Sequence, residues 1–253
     1  MTDQTHPLEK SLHLLRSMAD VADGAVGVRE LAARAGLSPT TTHRTLGALL
    51  RSGLVERDGE SGKYMLSFNA YRLGLLLSAK APWRELCLPF VRGLTRSTGE
   101  ASAFSLVDRN RLQMHTVVKL ASTNAVTVNV GDGWKSLHAG ASGLAILAFL
   151  PTMDREEALA SHRLTAETDA TLVDSPALRR ALEDVAARGY ALTRGQRIAG
   201  AVGVAAPVFL PGGGVLGSLY VSVPEQRFDR GRESEVIGCV MDAAEAFTQS
   251  LRK

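Results

Sequence analysis

The chain has 253 residues, with 29 Lys and Arg against 26 Asp and Glu, a net charge of +3, and 45% hydrophobic residues. That length can hold two domains with cores of their own, and so small a net charge excludes bulk coating of nucleic acid. Cys87 and Cys239 lie far apart without CxxC spacing, which fits buried, inert thiols in a reducing cytoplasm. The amino terminus carries Asp3 and Glu9 and no apolar run, so no signal peptide is expected. The longest clean apolar run, LAILAFL at 144–150, is too short to span a bilayer.

Residues 8–21 (LEKSLHLLRSMADV) are periodic and predict a helix with Leu8, Leu12, Leu15 and Met18 on one stripe. Residues 28–54 predict two short helices around a tight turn. The first, 28–35, places Leu31, Ala32 and Ala35 on its apolar face. Gly36 suits a left-handed helix end, Ser38 an N-cap and Pro39 a first helical position. On the second helix, Thr42, Leu46, Leu49 and Leu50 fall on the inner side. Thr40, Thr41, Arg44, Gly47, Ala48 and Arg51 fall on the outer side, and no carboxylate occurs from Leu37 to Val55. A small, hydroxylated, basic face is what a helix needs to enter a major groove. Solvated Thr and Arg with no ligand remain the competing reading. His43 is read as structural, at the edge of the buried face.

Two strand-like runs, 54–57 and 63–66, flank the turn Asp58-Gly59-Glu60-Ser61-Gly62, which predicts a β-hairpin and therefore a winged helix-turn-helix. Arg57 and Lys63 would flank the wing tip. Up to Leu66 there are 8 basic and 8 acidic residues, so positive charge is local rather than general. Residues 68–79 (FNAYRLGLLLSA) predict an apolar linker helix, interrupted by Pro82 and suited to an interface between domains or subunits. A helix from Trp83 to Thr95 follows.

From Ala101 the pattern turns to strands: 101–107, 112–119 after the turn Asp108-Arg109-Asn110, and 126–130, ended by Gly131-Asp132-Gly133. The small-residue run 137–143 feeds an apolar helix over 144–150, stopped by Pro151. Amphipathic helices are expected over 154–162 and 175–188, the second capped by Ser175-Pro176 and ended at Gly189-Tyr190. Strands 191–193, 202–210 and 215–223 and a terminal helix from Phe228 complete an α+β domain, a mainly antiparallel sheet with helices on one face.

At these residues the chain resembles the IclR family of bacterial transcriptional regulators, from about Pro7 to the end. The resemblance is carried by Leu8-Glu9-Lys10-Ser11-Leu12, Leu31-Ala32, Gly36-Leu37-Ser38, Thr42-His43-Arg44 and Gly53-Leu54-Val55. In the second half it is carried by Leu137-His138-Ala139 ahead of Gly143, Arg188-Gly189-Tyr190, Ala205-Ala206-Pro207-Val208, and Ser222 ahead of Pro224. It implies a winged helix-turn-helix over 1–66, a linker helix over 67–80 and a GAF-like effector-binding and oligomerisation domain over 81–253. It implies dimers or dimers of dimers on palindromic operators. The chain has Gly143-Leu144-Ala145 where the family often has Gly-Lys-Ala, and Gln196 where it often has Glu, so effector chemistry does not carry over.

The candidate DNA-binding residues are Ser38, Thr40, Thr41, Arg44, Arg51, Arg57 and Lys63. The candidate effector site starts from backbone N–H groups of Ala141, Ser142 and Gly143, which suit a carboxylate; Ser142 as a plain helix cap is the alternative. The family match adds Val126, Gly140, Thr193, Gly203, Tyr220 and Ser222. Tyr220 and Ser222 share a strand face by period two, and Trp134 could stack on an aromatic ligand or sit in an interface. No catalytic residue, metal ligand or cofactor is expected. Gly140-Ala141-Ser142-Gly143-Leu144 misses the last glycine of a nucleophile elbow, Gly212-Gly213-Gly214 lacks the Lys-Ser/Thr of a phosphate loop, and the histidines show no metal spacing. The expectation is a cytoplasmic regulator, a repressor of a catabolic operon controlled by a small organic acid, an aromatic one included. The alternative is a GAF-like enzyme acting on small molecules, its helix-turn-helix used for oligomerisation.

Overall fold

Capping chemistry sets many of the helix starts. The computed structural model describes residues 6–21, 24–80, 83–122, 124–131, 133–160 and 164–252, and of 78–80 the backbone alone. The chain divides into two compact units, Met1–Pro82 and Trp83–Lys253. In the first, helix α1 (Pro7–Ala19) opens on a reciprocal capping box between His6 and Glu9. Strand β1 (Ala25–Val26) and helix α2 (Val28–Arg34) follow. Gly36 turns the chain at φ +61°, where a Cβ would be strained. Helix α3 (Pro39–Arg51) starts on Ser38, whose hydroxyl accepts from the Thr41 N–H at 3.2 Å.

Strands β2 (Val55–Arg57) and β3 (Tyr64–Leu66) form the wing, and β1 pairs with β3, giving an antiparallel sheet ordered β1-β3-β2. Two residues of β1 are too few for a sequence pattern, and this strand was not expected. Leu14, Met18, Val26, Leu31, Leu46, Leu49, Val55 and Tyr64 make the core. The buried stripe of α1 is therefore Leu14 and Met18, whereas Leu8 and Leu12 are 61% and 48% exposed. The leucines of α1 satisfy helical spacing on two faces, and only packing against α3 selects one. Helix α4 (Phe68–Lys80) is tied to the end of α3 by the Ser67 hydroxyl, which donates to the Gly53 carbonyl. Leu73, Leu75, Leu76 and Leu77 are exposed in the single chain. Pro82, expected to interrupt this helix, lies outside the described residues.

The second unit comprises α5 (Trp83–Thr98), β4 (Ala101–Asp108), β5 (Gln113–Leu120), β6 (Trp134–Ser136), α6 (Gly140–Leu147), α7 (Thr152–Ala158), α8 (Ser175–Arg188), β7 (Ala191–Arg194), β8 (Ala201–Phe209), β9 (Val215–Pro224) and α9 (Arg230–Ser250). The strands form one antiparallel sheet ordered β6-β5-β4-β9-β8-β7. Along β9, Leu219, Val221 and Val223 enter a core with Cys87 and Val91 of α5 and Phe247 of α9. Tyr220 enters a second core with Leu144 and Leu147 of α6 and Leu178 and Leu182 of α8. Helices thus cover both faces of the sheet, a correction to the one-sided arrangement expected. Period-two alternation, with apolar or small residues on both sides, is what such a sheet requires.

Residues 126–130 are irregular, not a strand. Side chains take the carbonyls a neighbouring strand would use: Arg227 donates to the Val126 oxygen at 2.8 Å and Lys119 to the Val130 oxygen at 3.1 Å. The edge strand is β6 instead, paired with β5; Asp132 lies outside the described residues. Helix α6 begins at Gly140, four residues before the start expected. Asp174, rather than Ser175, caps α8 by accepting from the Ala177 N–H at 2.9 Å. Helix α7 ends at Ala158; the expected end, His162, lies outside the described residues.

Candidate functional site

The outward face of α3 carries Thr40, Arg44, Ala48 and Arg51, all exposed, with Thr41 and Gly47 half-buried between them. Thr42, Leu46 and Leu49 are buried beneath, and Thr45 joins them. The Ser38 hydroxyl also donates to Thr41 Oγ1 at 2.9 Å. These two hydroxyls are engaged with each other at the helix start, whereas Thr40, Arg44 and Arg51 point outward. A Cβ on Gly47 would meet Arg51 Nη1 at 3.6 Å, an ordinary van der Waals contact, so an alanine would fit beside that guanidinium as well. His43 is exposed, which corrects its structural reading: it lies one residue, about 100° of helix, from buried Thr42.

On the wing, Arg57 and Lys63 are exposed. Arg57 Nε donates to the Gly62 carbonyl at 3.0 Å, and its guanidinium lies 5.5 Å from the Tyr64 ring centroid. It therefore closes the hairpin as well as carrying charge. The turn between them holds Asp58, which accepts from the Ser61 N–H at 2.7 Å and from the Ser61 hydroxyl. Those bonds hold the Asp58 carboxyl below its ordinary pKa. With Glu60 beside it, the wing tip is mixed in sign.

The second unit contains a cavity of about 550 Å³ between the sheet and the start of α6. Trp134, Gly140, Ala141, Ser142, Thr193, Gly203, Tyr220 and Ser222 all line it. Two expected residues do not. Val126 is 61% exposed on the irregular segment held by Arg227. Gly143 faces the chain behind α6: a Cβ there would lie 2.4 Å from the Leu137 carbonyl oxygen, so glycine permits the close approach of helix to loop. The residue opposite is Gly203, whose Cβ would lie 3.1 Å from that of Ala141.

Tyr220 is buried, with its hydroxyl 3.3 Å from Thr116 Oγ1 and 3.5 Å from Ser105 Oγ. Burial raises its pKa, against those hydrogen bonds, so the phenol is neutral. Ser222, two residues on, shares its face. One face of Trp134 already carries the Arg111 guanidinium, 4.5 Å from the centroid, and His115 meets the ring edge-on at 5.1 Å. Only the rest of that indole is open to a ligand.

Sequence reasoning missed the charged part of the lining: Lys135, Glu167 and Arg197, with Gln196 beside them. Arg197 lies in the β7–β8 connection. Its Nη1 donates to both Glu167 oxygens at 2.9 Å, and its Nη2 donates to the Ser136 carbonyl at 2.6 Å and to the Ala139 carbonyl. Burial pulls its pKa below the ordinary guanidinium value, and Glu167 opposes that pull. Lys135 donates to Thr116 Oγ1 at 3.3 Å and to the Gly131 carbonyl. Among the described residues the lining thus holds two cationic side chains and one carboxylate. The signal available in the sequence was an arginine next to Gln196, a position already noted as unusual.

A buried carboxylate steadies the rim. Glu100, its side chain 1% exposed, accepts from Arg227 at 3.0 and 2.6 Å, with Arg232 at 3.6 Å. Arg227 in turn holds the Val126 carbonyl, on the segment that carries Asn129 and Val130 to the cavity. Among the described residues, no group of three or more His, Cys, Asp or Glu is placed to hold a metal ion, and no helix is long and apolar enough to cross a membrane.

Residues 7–59 match the family model for the IclR helix-turn-helix domain, and residues 79–249 that for the bacterial transcriptional regulator IclR C-terminal domain. The chain is 30% identical to the HTH-type transcriptional regulator BhcR of Paracoccus denitrificans over 237 residues, 94% of this chain and 84% of that one. It is 28% identical to the transcriptional repressor IclR of Escherichia coli over 248 residues, 98% and 90% of the two chains. Among solved structures, an IclR transcriptional regulator from Silicibacter superposes with a TM-score of 0.86 at 27% identity, covering 98% of this chain and 96% of that one. An IclR homologue from Microbacterium hydrocarbonoxydans complexed with 4-hydroxybenzoate gives 0.75 at 26% identity, covering 98% and 99%.

Proposed function

The chain belongs to the IclR family of bacterial transcriptional regulators, and on that premise we propose that it is a sequence-specific DNA-binding repressor of a catabolic operon, released by a small organic acid. The observation that carries the ligand half is the cavity. It combines two cationic side chains, one carboxylate, the open first turn of a helix and the free part of a tryptophan. A carboxylate entering there gains charge-assisted donors that a neutral molecule cannot use. The relative bound to 4-hydroxybenzoate supplies a first acid to try.

The DNA half rests on the exposed face of α3. Arg44 and Arg51 project from it, Thr40 stands at its start, and no carboxylate interrupts it. Arg44 is proposed to read a base edge, with Arg51, Arg57 and Lys63 on phosphates. Ser38 and Thr41 are proposed to approach the backbone while capping the helix. The protein would act in the cytoplasm as a dimer or dimer of dimers on a palindromic operator, paired in part through the leucines of α4. Binding of the acid would bias two arrangements of the DNA-binding units.

The test has two steps. Selection from a random duplex pool should enrich a palindrome, shifted specifically in a gel. Addition of 4-hydroxybenzoate and other small carboxylic acids should then raise the melting temperature and alter the shift. An acid at about 100 times its Kd adds roughly 2.7 kcal/mol of stability. Enrichment of no sequence, or stabilisation by neutral molecules alone, would overturn the corresponding half.

A further inference from the structure

Nothing in the fold requires glycine at position 47. The residue lies well inside the continuous helix α3, and its φ is not left-handed. Glycine inside a helix costs stability relative to alanine, because the unfolded chain has more backbone freedom to lose. An added Cβ would meet one side-chain atom, Arg51 Nη1 at 3.6 Å, in ordinary contact. Neither conformation nor packing therefore calls for glycine, and alanine would serve the helix better. Gly93 of α5 and Gly238 of α9 stand equally free, but neither helix carries the face assigned to DNA.

The place of Gly47 in its row is informative. At about 100° per residue, Thr40, Arg44, Gly47 and Arg51 fall within about 60° of one another, nearly opposite the buried Leu49. Thr40, Arg44 and Arg51 are exposed, and no carboxylate lies between Leu37 and Val55. Between its two arginines the row thus presents bare backbone. What meets that backbone must be apolar, because the Gly47 N–H and C=O are used in the α3 bonds to His43 and Arg51. A phosphate oxygen or a polar base atom pressed there would lose water and gain no partner. The apolar group on a major-groove base edge is the thymine 5-methyl.

We propose that Gly47 is the point where α3 comes closest to the operator, its bare Cα resting against the 5-methyl group of a thymine. A side chain there would hold the helix away by about one C–C bond, roughly 1.5 Å. That is enough to stretch a base contact from Arg44 beyond hydrogen-bond range. Glycine at this position exchanges helix stability for depth in the groove. This rests on the DNA-binding reading of α3 and adds the base it meets and the residue that admits it. A merely tolerated glycine is the rival reading, and it would leave binding indifferent to an added methyl.

Gly47→Ala in the full-length protein separates the two, because stability and binding should move in opposite directions. Its melting temperature should rise by about 2–5 °C. Its affinity for the duplex selected by the wild-type protein, measured by fluorescence anisotropy, should fall at least about fivefold, the low end of a bidentate base contact. Affinity for an unrelated duplex should stay within about twofold. Replacing the thymines of one half-site by deoxyuridine, one at a time, removes single methyl groups. At one position the wild type should lose about fourfold, the worth of one buried methyl, and Gly47→Ala should not. If Gly47→Ala binds as the wild type does while Arg44→Ala is weakened, the inference is overturned and the DNA-binding reading stands. A lower melting temperature for Gly47→Ala would overturn it too, by showing that the glycine serves the fold, and indifference of the wild type to every thymine methyl would overturn the thymine contact. If the wild type selects no duplex, both the inference and the reading fall.

Discussion

Removing the Glu100 carboxylate should loosen the second unit and the cavity rim together. Glu100 is 1% exposed and accepts from Arg227 at 2.6 and 3.0 Å, with Arg232 at 3.6 Å. Truncating one partner of a fully buried ion pair costs about 3–5 kcal/mol, chiefly because the other charge is stranded. Here the stranded guanidinium groups retain 31% and 33% exposure and can recover some hydration. The expected loss for Glu100→Ala is therefore about 2–3 kcal/mol. For a unit of this size that is a fall of about 5–10 °C in melting temperature. Glu100→Gln keeps an acceptor for Arg227 and should lose about half as much. Because Arg227 also holds the Val126 carbonyl, binding of an organic acid should weaken in step with stability. Urea unfolding with both variants tests this, read by circular dichroism and by calorimetric titration. A loss below about 1 kcal/mol for Glu100→Ala, at unchanged m-value, would show that the cluster is not the clamp described.

Four further outcomes are expected. Arg44→Ala should cost about 1–3 kcal/mol of operator affinity, whereas Lys63→Ala should weaken all duplexes alike and lower the salt slope by about 1, measured by fluorescence anisotropy across salt concentrations. Ser222→Ala should weaken acid binding at least about tenfold if its hydroxyl donates to the carboxylate, as read by calorimetry. Leu76→Glu places a charge on the exposed apolar face of α4 and should give smaller species by light scattering or insoluble protein; an unchanged oligomer would remove α4 from the interface. Burial pushes the Cys87 thiol up to about 11 from 9.0. A raised thiol pKa stabilises the fold fully below pH 9 and less as pH climbs towards 11. Cys87→Ala should therefore show a shallower fall in melting temperature across that window.

Much of this architecture was legible because its signals are local. Ser38-Pro39, Gly36 and the spacing of Leu46 and Leu49 act within a few residues, and the structure places both helices of the motif accordingly. Alternation along 215–223 sends Tyr220 and Ser222 to one face, and both line the cavity. Where two local patterns were equally good, the sequence could not choose. Leu8 and Leu12 have the same spacing as the buried Leu14 and Met18, and residues 126–130 alternate like a strand although Arg227 and Lys119 hold two of their carbonyls.

The charged heart of the cavity belongs to the tertiary structure alone. Arg197 meets Glu167, Ser136 and Ala139 across 30, 61 and 58 residues of chain. No period or spacing encodes such a meeting. The β7–β8 connection and the loop between β6 and α6 leave opposite edges of the sheet, yet the fold brings them together, burying one guanidinium among carbonyls that leave its Nε unpaired. A helix cap is decided by hydrogen bonds a few residues apart, whereas a buried charge is decided by whatever distant groups the fold brings to it.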